Sequence, residues 1–240
     1  MKAILKFRDL HGDDLISGIS QGQDEGSHKN LHGANDFMGT SAADWVDLLA
    51  PYDCKVMAIA RADNAVFFQS LYSVETPIGK FPHCWFVCYH MNDKDFDTLK
   101  MRVGKVFKQG EPCYTEGIKG IGGGRHIHME QGAGEFGGGS APYYRSTDTY
   151  KYNGLTYYQY YPNVKDGGYE YPVYDMFFIP DVKQYYSSYE GGKSRYKDKW
   201  VYLTEDTDKD LETQLREANA TIKRYKEVFE KITELLKELA

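Results

Sequence analysis

Apolar positions along the first half of the chain fall into short runs separated by polar turn residues. Residues 54–59 (CKVMAI) and 65–71 (AVFFQSL) are rich in β-branched and aromatic side chains, with Arg61 to Asn64 between them, so they read as neighbouring strands. Residues 81–90 (FPHCWFVCYH) form another such run, and residues 103–109 follow after the polar stretch DKDFDT. A glycine-dense loop at 117–124 leads into Arg125-His126-Ile127-His128-Met129-Glu130, and residues 1–25 suit an entry strand and loop. Short strands with tight turns predict a mostly β fold built on a compact antiparallel sheet.

The pattern then changes twice. Residues 140–202 hold 16 of the 21 tyrosines among Gly, Asp, Lys and Ser, with residues 173–180 (VYDMFFIP) as an apolar anchor, and read as an ordered, loop-rich, Tyr-rich extension of the same domain. From Asp208 to Ala240 there is neither Gly nor Pro, and Leu211, Leu215, Ala218, Ile222, Tyr225, Phe229, Ile232, Leu236 and Leu239 recur at alternating spacings of four and three. That is a heptad seam, which predicts a C-terminal coiled-coil helix joining chains into a homo-oligomer. Val228 and Leu235 widen the apolar stripe, so a single amphipathic helix folded back on its own domain is the competing reading. The expected domains are residues 1–205 and the helix 208–240.

Composition narrows the function classes. Hydrophobic residues make up 41% of the 240, enough for a real core, and a net charge of -6 offers no electrostatic footprint for nucleic acid. No run approaches an integral membrane span, and the start MKAILKFRDLHGDD turns acidic before an apolar signal region develops, which predicts synthesis in the cytoplasm without a signal peptide. Cys54, Cys84, Cys88 and Cys113 lack both zinc-knuckle spacing and the density of a disulfide framework, and read as buried thiols.

The candidate chemistry lies in the histidines. His126 and His128 flank Ile127 on a predicted strand, so period-two alternation turns both imidazoles to one face and Ile127 to the other. Upstream, Asp36 stands four residues after His32 and eight after His28, and either histidine can join it and the His-x-His pair in a metal site. His90 closes the run 85–89, where a further imidazole could face the same cleft.

Taken in order, Ser27-His28-Lys29-Asn30 with Ala34-x-Asp36, then APYDCKV at 50–56, Tyr89-His90-Met91, VGKVFKQGE at 103–111 and His126-Ile127-His128-Met129-Glu130 resemble the lysostaphin-type (LytM-like) zinc metalloendopeptidases, nearest the divergent members found in bacteriophage endolysins. The resemblance covers roughly residues 20 to 135. It implies a compact antiparallel β metallopeptidase domain with a groove and one Zn2+ held by a first-motif histidine, Asp36 and His128. His90 and His126 are then the catalytic imidazoles that handle the proton of the attacking water and stabilise the oxyanion. The implied substrate is a peptide of bacterial peptidoglycan, cut at the cell wall after release of the protein or from within a virion. For the first ligand the spacing favours His32, whereas the resemblance favours His28. Doubling a four-residue connection adds only about 0.6 kcal/mol of loop closure, so spacing is the weaker argument and His28 is preferred, with His32 as alternative. Two departures stand out: Ala34 replaces the glycine usual between first histidine and aspartate, and residues 120–125 (GIGGGR) replace the usual Ser/Thr-Gly before His-x-His. A second function class is a non-catalytic wall-binding or virion structural module in which tyrosine faces stack on glycan.

Overall fold

The central strands are apolar on both faces and buried on both. The fold is seen in a computed structural model that describes residues 1–8, 16–21, 34–39, 45–120, 124–137, 145–152, 155–160, 164–180 and 199–203. His28, His32 and the heptad tail lie outside the described residues. Eight strands of a ten-stranded antiparallel sheet run in the order Val106–Phe107, Cys54–Ala60, Ala65–Ser70, Cys84–Tyr89, Ile127–Phe136, Val164–Glu170, Leu155–Tyr160 and Arg145–Tyr152. Two further strands, Asn35–Gly39 and then Ile16–Gln21, branch from the start of Ile127–Phe136. That long strand therefore has Cys84–Tyr89 on one side, and on the other Asn35–Gly39 first and Val164–Glu170 later.

Packing explains why the apolar runs became strands. Phe68 pairs with Phe86 across the sheet, and their rings stack at 4.5 Å in the main core with Phe7, Tyr52 and Ile127. Phe67, Trp85 and Val87 point to the opposite face, where Phe67 stacks on Trp85 at 5.5 Å. A strand buried on both faces reads as a continuous apolar run rather than an alternating one, as residues 65–70 and 84–89 do. A smaller sheet of Lys6–Arg8, Asp47–Leu49 and Pro112–Thr115 packs its Phe7, Leu48 and Tyr114 into the main core. The four cysteines are free and buried, and burial pushes every one of their thiols up, which makes them inert packing groups. No helix among the described residues is long and apolar enough to cross a membrane.

Three expectations change. The stretch DKDFDT is a short helix, Asp93–Thr98, whose Phe96 is buried. Only Val106–Phe107 of the run 103–109 is strand. Within the Tyr-rich segment, expected to be loop-rich, the described residues include a meander of three strands, Arg145–Tyr152, Leu155–Tyr160 and Val164–Glu170, that extends the main sheet. Tyrosine and threonine favour strands, and the Asn-Gly pair at 153–154 between paired Tyr152 and Leu155 is a strong hairpin signal in the sequence. The apolar anchor is a short buried helix, Val173–Met176, followed by the strand Phe178–Ile179.

Candidate metal centre

Antiparallel pairing brings the site together at the start of Ile127–Phe136. His128 lies opposite Tyr89 on one neighbour and Asp36 on the other, so residues far apart in the chain become adjacent through register alone. Ile127 enters the core while His126 and His128 face away from it, as alternation requires. His90 follows directly on the end of Cys84–Tyr89, in the left-handed region at φ 83°. The structure thus gathers Asp36, His90, His126 and His128, four of the residues singled out in the sequence.

Each imidazole is held by a different partner. His90 donates Nδ1–H to the Lys119 carbonyl at 2.7 Å, and His126 donates Nδ1–H to the Gly124 carbonyl at 2.7 Å. A carbonyl only accepts, so Nδ1 carries the hydrogen in both rings, and in the neutral form the lone pair is on Nε2. Burial, with His126 and His128 nearby, pulls His90 down to about 4, and it is neutral at pH 7. His128 lies between two carboxylates, with Nδ1 at 2.8 Å from Asp36 Oδ1 and Nε2 at 3.3 Å from Glu130 Oε1. Burial opposes its charge, but the bonds to Asp36 and Glu130 outweigh it and raise His128 to about 9 in the metal-free protein.

The cluster could hold a metal ion. The ligand atoms of His90, His126 and His128 all lie within 4.8 Å of one another, and Asp36 Oδ1 is 3.6 Å from His126 Nε2. Around a tetrahedral ion with bonds of 2.0–2.2 Å neighbouring donors stand about 3.4 Å apart, so Asp36 Oδ1 and His128 Nδ1, hydrogen-bonded at 2.8 Å here, would separate by a fraction of an ångström to share one. Imidazole nitrogens and carboxylates are donors that zinc takes, and Glu130 lies against the far nitrogen of His128.

Two carboxylates carry roles that the sequence reading did not assign. Glu130 stands two residues beyond His128 on the same strand, and period two alone puts it on the same face. Glu116 has no accessible surface and accepts from the Gly39 and Val46 N–H groups at 3.0 and 3.1 Å and from Arg125 Nε at 3.1 Å. It ties the strand bearing Asp36 to the residue before His126. Gly117, next to it, bridges His126 in backbone pairing and presses so closely on His90 that a Cβ there would overlap the His90 carbonyl.

The two shifted histidines set the pH response of the metal-free protein. His128, raised above its unfolded value of 6.5, contributes stability that is full below 6.5 and lost as pH rises through about 9. His90, lowered, contributes stability that is full above 6.5 and lost as pH falls through about 4. Thermal unfolding of chelator-treated protein should therefore be highest near pH 6.5, and His128→Gln should remove the alkaline limb only. A flat profile from 6.5 to 9 in the unsubstituted protein contradicts this.

No family model and no curated protein matches the chain. Among solved structures it is similar to a zinc-containing peptidase from Vibrio cholerae, at 18% sequence identity and a TM-score of 0.33 over 49% of this chain, which spans 32% of that one.

Proposed function

We propose that the protein is a zinc-dependent endopeptidase that hydrolyses a peptide bond in bacterial peptidoglycan. The observation that carries the reading is the convergence of Asp36, His90, His126 and His128 on one sheet face, with two imidazoles held through Nδ1–H by carbonyls beside a carboxylate-bound third. Asp36 and His128 are assigned as ligands together with His28, or His32 in its place. His90 and His126 are assigned as catalytic imidazoles. When bound, zinc supplies Lewis acidity that polarises a peptide carbonyl and makes a water acidic enough to attack at neutral pH. His90 and His126 each offer an Nε2 lone pair that accepts a proton from that water or, once protonated, donates to the carbonyl oxygen as charge develops. Glu130 holds the far nitrogen of His128, which keeps Nδ1 directed at Asp36.

The peptidoglycan substrate, and an origin in a phage or prophage with action at the cell wall after release or on a virion, rest on the order of the sequence motifs. Zinc content together with turbidity clearing of susceptible cells, with His126→Ala as control, tests the reading: clearing that needs zinc and is lost in the variant supports it. Zinc retained without any hydrolysis would favour a wall-binding or structural module instead.

Two subsidiary assignments have their own tests. If His28 is the first ligand, His28→Ala loses zinc and His32→Ala keeps it, and the reverse outcome reassigns the ligand to His32. Assembly through the heptad seam at 208–240 predicts an oligomer in sedimentation at micromolar concentration, whereas a monomer there rejects it.

A further inference from the structure

A histidine at positive φ is held there by its surroundings, and the surroundings of His90 are unusually complete. Five hydrogen bonds converge on the dipeptide His90-Met91 from three separate stretches of chain. His90 N–H donates to the Asp63 carbonyl at 2.9 Å, and Lys119 N–H donates to the His90 carbonyl at 2.9 Å. The ring donates to the Lys119 carbonyl at 2.7 Å. Met91 N–H donates to the Tyr114 hydroxyl at 3.1 Å, and Asn64 Nδ2 donates to the Met91 carbonyl at 2.8 Å. Every backbone polar group of the two residues is thereby satisfied inside the protein.

Tyr114 is the keystone of this arrangement. Its ring is wholly buried, and its hydroxyl both accepts from Met91 and donates to the Asn64 carbonyl at 2.6 Å. One oxygen thus joins the turn that carries Asn64, itself at φ 48°, to the residue after His90. A phenylalanine would fill the same core space, so the hydroxyl serves the chain around His90 rather than the packing. Tyr114 also lies in the strand Pro112–Thr115, just before Glu116 and the close-packed Gly117, so the same segment meets the imidazole cluster twice.

We infer that Tyr114 is a positioning residue for His90, its hydroxyl fixing the backbone from which that imidazole reaches the metal centre. The inference rests on the peptidase reading for its catalytic consequence, but not for its structural one. Tyr114→Phe, in the full chain loaded with zinc, should lower kcat about 10- to 100-fold, because displacement of a catalytic group by a fraction of an ångström weakens the transition state. KM should stay within about twofold and the zinc content should not change. Independently of activity, proton–carbon spectra of the imidazoles should show the His90 resonances moved, with those of His126 and His128 in place. Asn64→Gly leaves the residue-64 carbonyl that Tyr114 donates to and serves as a control that should move the His90 resonances less; where Tyr114→Phe does not fold, exchange of the Met91 amide in the unsubstituted protein decides, slow exchange supporting the hydroxyl's hold on it and fast exchange overturning the inference. Full kcat with unmoved His90 resonances would overturn the inference. An unsubstituted protein without peptidase activity would sink the functional reading alone, leaving the spectra to judge Tyr114.

Discussion

Replacing Asp36 by alanine should remove zinc and peptidase activity together. Asp36 Oδ1 is the atom shared by the cluster, 2.8 Å from His128 Nδ1 and 3.6 Å from His126 Nε2. Loss of an outer partner of a metal ligand already lowers affinity about 10- to 100-fold, so loss of a ligand should exceed about 100-fold. His128→Ala should behave alike. His90→Ala and His126→Ala should instead keep their zinc and lose turnover by about 10²- to 10⁴-fold, the usual worth of a positioned acid or base. Metal analysis beside initial rates separates the two classes. If metal and activity fall together in all four variants, the division into ligands and catalytic imidazoles is wrong.

Glu116→Ala should give the largest loss of stability near the site. Burial pushes the Glu116 carboxyl up, with the Gly39 and Val46 N–H groups and Arg125 offsetting part of that penalty. Such a buried pair adds little net stability, yet removing one member leaves the other uncompensated. Alanine at 116 leaves two backbone donors without their carboxylate and removes its ion pair with Arg125, whose side chain is only 17% exposed and lies over the Trp45 ring. The expected loss is about 3–5 kcal/mol, seen as a lower urea midpoint with an unchanged slope. A change below about 1 kcal/mol contradicts the view that Glu116 joins the Asp36 strand to the His126 segment.

The parts of this architecture that depend on local pattern are legible in the sequence. Residues 54–59, 65–71 and 84–89 announce themselves as strands because their side chains are buried, and His126 and His128 share a face because strands alternate. Register is another matter. Nothing in the sequence states that Asp36 lies opposite His128, since that follows from the pairing of strands 92 residues apart. Glu116 and Tyr114 were invisible for the same reason: their partners, Gly39, Val46, Asn64 and Met91, come from distant segments and are mostly backbone groups common to every residue. The helix Asp93–Thr98 hid because a single buried residue, Phe96, carries its apolar signal. The Tyr-rich meander was masked by composition, although its Asn-Gly hairpin pair was there to be read.

A catalytic zinc is tested most directly by the zinc content of the purified chain set against its rate of peptidoglycan hydrolysis through one cycle of chelation and metal return. About one zinc per chain is expected, with hydrolysis that disappears when the metal is stripped and recovers when zinc is restored. Hydrolysis that persists in fully stripped protein, or a chain that takes up no zinc at micromolar free ion, would contradict it.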